Sequence, residues 1–213
     1  MKSLARCVGP AALLAVGLAL PLLAFENPLS STSIRDAYFL GKDGGQRAEE
    51  FLARYIVYPP QPKSGQFFVV MIQVKTPFIM VMERPTQLIS YSAPQAEQDF
   101  LGKPAGFAIR VQVNKTPSYR GGSVRKARGG FETVPGPGWR DMKYLLSQND
   151  QEIMRKSMHA EPICIGTDGC TFVGWDINLD YDAEKIQSAP IRFEVIMPDG
   201  QSVATSFDLD QLR

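Results

Sequence analysis

Residues 106–114 read Gly-Phe-Ala-Ile-Arg-Val-Gln-Val-Asn. Phe107, Ile109, Val111 and Val113 alternate with Ala108, Arg110, Gln112 and Asn114. A period of two sends successive side chains to opposite faces, so this stretch predicts a strand with one buried and one wet face. Other segments share the texture. Phe67–Val74 is rich in β-branched and aromatic residues and predicts a buried strand. Phe78–Met82 and Gln87–Tyr91 extend the series, and Tyr144–Leu146 is short enough for a strand or a helix. Pro162–Ile165, Cys170–Leu179 and a hairpin of Ile191–Met197 with Ser202–Leu209 close the chain. Pro198-Asp199-Gly200 supplies that hairpin's turn.

Helical periodicity is confined to the N-terminal part and one later segment. Ile34, Ala37, Tyr38 and Leu40 form an apolar face between a cap-like start at Ser33 and a stop at Gly41. Ala48, Phe51, Leu52 and Tyr55 do the same in a second helix, which the Tyr58–Pro62 linker ends. Asn149-Asp-Gln-Glu152 resembles a capping box that opens a short helix reaching His159, whose imidazole would face the helix C-terminus. The strands are joined by turns, not by regular helices, which disfavours a parallel α/β sheet. The expected fold is therefore mainly β: an antiparallel β-sandwich, immunoglobulin-like or similar, preceded by two short N-terminal helices. The expected division is a leader over 1–24, a helical segment with a Pro-rich linker over 25–62, and the sandwich over 63–213.

The leader fixes the compartment. Lys2 and Arg6 precede an uncharged apolar run from Val8 to Ala24, the layout of a secretory signal peptide. An uncleaved anchor is the competing reading. The run is slightly short for a membrane span, and Pro10 and Pro21 interrupt it, so cleavage is expected. The exported part would be periplasmic or extracellular. Without Lys2 and Arg6, a chain with 23 basic and 22 acidic residues carries one net negative charge, which gives no general reason for nucleic-acid binding. In an oxidising compartment Cys164 and Cys170, flanking a Thr-Asp-Gly turn, are expected to form a disulfide.

Three groups of residues are candidates for function. Lys115, Arg120, Arg125, Lys126 and Arg128, with Tyr119, form a basic stretch inside a Gly- and Pro-rich loop over 115–138. Cationic loops with aromatics bind phosphates and single strands. Outside the cytosol an anionic envelope component or another envelope protein is the expected partner, with no nucleic acid, and with membrane contact only through a retained leader. Asp176, Asp180, Asp182 and Glu184 form an acidic run with the right chemistry for calcium. An EF-hand alignment fails, because Lys185 stands where glycine is needed and Ile191 where the bidentate acid belongs. The single histidine, His159, argues against triads and most zinc sites. No P-loop or dinucleotide fingerprint occurs, and no cofactor is expected. The sequence thus points to an exported, non-catalytic binding or scaffolding module. The alternative is a small secreted hydrolase using a carboxylate pair.

Overall fold

A computed structural model describes residues 25–62, 64–88, 90–103, 106–119, 138–166 and 171–213, with the backbone of 126–127 and 130–131. The expected leader, Met1–Ala24, lies outside the described residues. In chain order the elements are α1 (Ser31–Asp43), α2 (Gly45–Ala53), β1 (Ile56–Val57), β2 (Phe67–Lys75), α3 (Pro77–Gln87), α4 (Ala93–Phe100), β3 (Gly106–Lys115), β4 (Lys126–Ala127), β5 (Gly130–Phe131), β6 (Lys143–Gln148), β7 (Gln151–Glu152), β8 (Ser157–Ile165), β9 (Thr171–Asp182), β10 (Pro190–Ile196) and β11 (Ser202–Asp208). Among the described residues the protein is mainly β, with antiparallel sheets and four α-helices. No described helix is long and apolar enough to cross a membrane.

Strand β3 sits at the middle of a five-stranded sheet of order β1-β2-β3-β9-β8. Its alternating residues behave as the period requires: Phe107, Ile109, Val111 and Val113 are all fully buried. The register aligns Val111 with Ile72 and Ile177, and Ile109 with Val74 and Leu179, so three strands present one apolar face. Arg110, Gln112, Asp176 and Asn178 occupy the other face and are half-buried. Gly174 is needed where β9 meets β3, since a Cβ there would lie 2.0 Å from the Val113 carbonyl oxygen.

A second sheet has the order β11-β10-β6-β7. It buries Ile191, Phe193 and Val195 from β10, Tyr144 and Leu146 from β6, and Phe207 from β11. These side chains, the apolar face of the first sheet and the inner faces of α1 and α3 belong to one continuous hydrophobic cluster. The hairpin expected over Ile191–Leu209 is present as β10 and β11.

Several segments differ from expectation. Phe78–Met82 is not a strand but the first half of α3. Thr76 caps that helix by accepting from the Ile79 N–H at 3.4 Å, and Pro77 fills the first turn, where a missing N–H costs nothing. Phe78, Val81 and Met82 then follow a helical spacing and are buried. Gln87 is the last residue of α3, and Leu88, Ser90 and Tyr91 belong to no strand; Ile89 lies outside the described residues. Helix α1 is capped by Ser30, not Ser33, and runs through Gly41 to Asp43, with Gly44 as its C-cap. The expected helix after Asn149 is absent. Asn149 and Asp150, with φ of 52° and 62°, form a two-residue turn between β6 and β7. His159 therefore lies in strand β8 and not at a helix end.

Candidate functional site

The basic loop leaves the sheet at Lys115, where the alternation of β3 produces an unusual placement. Val69, Val113 and Trp175 share one cross-strand row, and Phe67 lies opposite Lys115 one row beyond. A cation thus ends an otherwise apolar face. The Lys115 ammonium lies 6.0 Å from the Tyr119 ring centroid and 5.7 Å from that of Phe172. Both separations suit attraction to the negative faces of the rings, about 0.5–1 kcal/mol each at accessible positions.

The rings form a connected series. Tyr119 packs on Phe67 at 4.9 Å, Phe67 on Trp175 at 5.3 Å, and Trp175 edge-on to Phe172 at 4.6 Å. Phe67 and Phe172 are buried and act as the wall, whereas Tyr119 and Trp175 keep part of their surface open. Burial pushes the Tyr119 phenol above its ordinary pKa and keeps it neutral. Hydrogen bonds fix the outgoing end of the loop. Thr116 donates its N–H to the Gln66 carbonyl at 2.9 Å and its hydroxyl to the Gly65 carbonyl at 2.6 Å. The Tyr119 N–H then donates back to the Thr116 carbonyl at 3.1 Å.

The returning end arrives at the same place. A Cβ on Gly138 would lie 3.8 Å from the Trp175 ring. Next to it the Arg140 guanidinium stacks 4.9 Å from the Trp139 ring, and the Tyr144 hydroxyl donates to the Trp139 carbonyl at 3.0 Å. Both tryptophans of the chain therefore stand at the root of the loop. Aromatic faces beside cations supply stacking surface and charge together. Of the expected site residues, the structure brings Lys115 and Tyr119 together. Arg120, Arg125 and Arg128 and the side chain of Lys126 lie outside the described residues. Sequence reasoning missed Trp139, which directly follows the loop in sequence, and Phe67, Phe172 and Trp175, which the pairing of distant strands brings to the loop root.

The acidic run is not gathered into one site. Asp176 is held by Arg110, whose Nε donates to Oδ1 at 2.8 Å and to Oδ2 at 3.0 Å. Asp180 accepts from the Ser157 hydroxyl, and Asp182 lies 3.4 Å from the Lys156 ammonium while Glu184 points to solvent. Among the described residues no group of three or more His, Cys, Asp or Glu side chains is placed to hold a metal ion. Glu161 stands opposite Asp176 across β8 and β9, with His159 at 3.3 Å from its carboxylate. The fork to Arg110 occupies both Asp176 oxygens, which leaves this cross-strand pair tied into a surface network. Cys164 lies near the end of β8 and pairs with Phe172, and Ile165 pairs with Thr171. Its expected partner, Cys170, lies outside the described residues. No family model, curated protein or solved structure matches this chain.

Proposed function

We propose that this chain is an exported, non-catalytic binding or scaffolding module of the cell envelope or extracellular space. In this reading the two antiparallel sheets stack as a sandwich, and a Cys164–Cys170 disulfide closes the β8–β9 hairpin. The 115–138 loop, with the aromatic and cationic cluster at its root, contacts an anionic envelope component or the acidic face of an envelope protein. The convergence of both loop ends on Lys115, Tyr119 and Trp175 carries the proposal. The single hydrophobic cluster shared by both sheets supports the stacked arrangement.

Co-sedimentation of the purified protein with isolated envelope fractions tests it. Replacing Lys115, Arg120, Arg125 and Arg128 with Ser should lower association by on the order of tenfold, and raised salt should weaken the parent protein's association. Trp175→Leu should lower it at every salt concentration, because stacking is not screened. Association unchanged by both sets of substitutions would remove the loop as the contact surface.

A further inference from the structure

The sheet ends are unequally protected. Strand β8 carries Pro162, a register break between Ile163 and Cys164, and the His159–Glu161 contact. Strands β1 and β7 have only two residues each. Short length, proline, bulges and charge all discourage an edge from pairing with another chain. Strand β11 has none of these over Ser202–Phe207, and its one charged residue, Asp208, is the last. It pairs with β10 along its whole length and ends the sheet on its other side.

The turn shows which backbone groups face outward. The Met197 N–H donates to the Gln201 carbonyl at 2.7 Å, and the Gly200 N–H to the Met197 carbonyl at 3.0 Å. Hydrogen-bonded and open pairs alternate along an antiparallel ladder. Val203 and Thr205 therefore bond to β10, and the N–H and C=O of Ser202, Ala204 and Ser206 point to the free side.

We propose that this edge pairs with the same edge of a second copy, antiparallel about a two-fold axis through Ala204. That register sets Ala204 opposite the partner's Ala204, Ser202 opposite the partner's Ser206, and Val203 opposite the partner's Thr205. Every outward N–H and C=O of these residues then meets its complement. Asp208 falls opposite the partner's Gly200 and Asp199 opposite the partner's Leu209, so no acid faces an acid. A shift by two residues one way sets Ser206 against the partner's Gly200 and Asp208 against its Pro198, whereas a shift the other way centres the pair on Thr205 and sets Ala204 opposite the partner's Ser206, a register in which Ala204→Cys gives no cross-link.

A groove of about 370 Å³ runs between β11 and the Tyr58–Pro62 segment, with Phe68 and Met197 in its walls and no charged side chain among its described lining residues. Val203 and Thr205 line it. Directly opposed residues share a face, so the partner's Thr205 and Val203 enter the same groove. Pro59, Pro60 and Pro62 have no N–H to compete for the edge, and Tyr58, 70% exposed, becomes covered. The neutrality of edge and groove fits a copy of itself and opposes a charged segment. The inference does not rest on the function proposed for the basic loop.

Sedimentation equilibrium of protein purified from cells expressing the full chain should show a dimer across the micromolar range. Ala204→Lys places two cations at the axis and should raise the dissociation constant on the order of tenfold or more. The position is exposed, so circular dichroism should stay that of the parent. Under mild oxidation Ala204→Cys should give a covalent dimer that the parent does not, since hydrogen-bonded pairs hold their Cα atoms about 5.5 Å apart, within disulfide reach. Val203→Cys should not, because Thr205 faces it. A monomer at every concentration, a dimer unaffected by Ala204→Lys, or equal cross-linking at 203 and 204 would overturn the proposal.

Discussion

Replacing Gly41 with Ala should destabilise the protein, although alanine is the better helix former. Gly41 is buried where α1 crosses α3. An ideal Cβ on it would lie 1.8 Å from the Met82 carbonyl oxygen and 2.7 Å from the carbonyl carbon. Relief to an ordinary contact needs a separation of roughly 1.5 Å, and the obstacle is main chain, so no rotamer change supplies it. The helices must move apart and loosen Ile34, Ala37 and Tyr38 against Phe78, Val81 and Met82, all buried. Overpacking of this kind costs about 1–3 kcal/mol, and a backbone obstacle belongs at the upper end. Helix propensity returns about 1 kcal/mol. The net loss is about 2 kcal/mol, or roughly 4–8 °C in Tm for a domain of this size. Urea unfolding followed by tryptophan fluorescence should show the midpoint falling by about 1 M with the slope unchanged. A variant as stable as the parent, or more stable, would mean that propensity decides at this site and that the close helix crossing is wrong.

Other outcomes can be checked with the same unfolding assay. The Tyr55 hydroxyl donates to the Arg213 carbonyl at 3.1 Å and accepts the Arg213 N–H at 2.8 Å, so Tyr55→Phe should cost about 1–3 kcal/mol. Burial pushes the Tyr55 phenol up to about 12, with the Arg213 hydrogen bond and nearby cations opposing it. The fold thus favours the protonated phenol. Its contribution is complete below about pH 10 and is lost as pH rises toward 12, and urea midpoints measured across that window should fall less steeply in Tyr55→Phe. Asp150→Gly should add about 0.5–1 kcal/mol, because φ at 150 is 62° and Asn-Gly suits a two-residue hairpin turn. Cys164 and Cys170 should resist alkylation until the protein is reduced, and reduction should cost about 2 kcal/mol; two reactive thiols in the untreated protein would remove the bridge.

Much of the sheet architecture was legible because β3, β10 and β11 obey a single period and the Pro198-Asp199-Gly200 turn is unambiguous. Phe78–Met82 was misread because a five-residue apolar run fits a buried strand and a buried helix equally well. The decisive signals were the two residues before it, Thr76 as cap and Pro77 in the first turn. Asn149–Glu152 was misread for a different reason. Its polar residues suit a helix cap and a hairpin turn alike, and only the pairing of Ser147 with Glu152 separates the two. At the loop root, Lys115 and Tyr119 were found because they are near in sequence. Phe67 and Trp175 join them through strand pairing between distant segments, which local pattern does not encode.

The insertion of β9 between β3 and β8 has a kinetic consequence. β3 is made early, yet one of its flanks stays open until Thr171–Asp182 has been synthesised. During that interval Ile109, Val111 and Val113 line an incomplete apolar ribbon with unsatisfied main-chain groups. Such distant pairing slows folding and lengthens exposure to neighbouring nascent chains. Fragments that stop before residue 171 should therefore accumulate as aggregates, while a chain that includes Thr171–Asp182 passes this hazard once β9 has paired with β3.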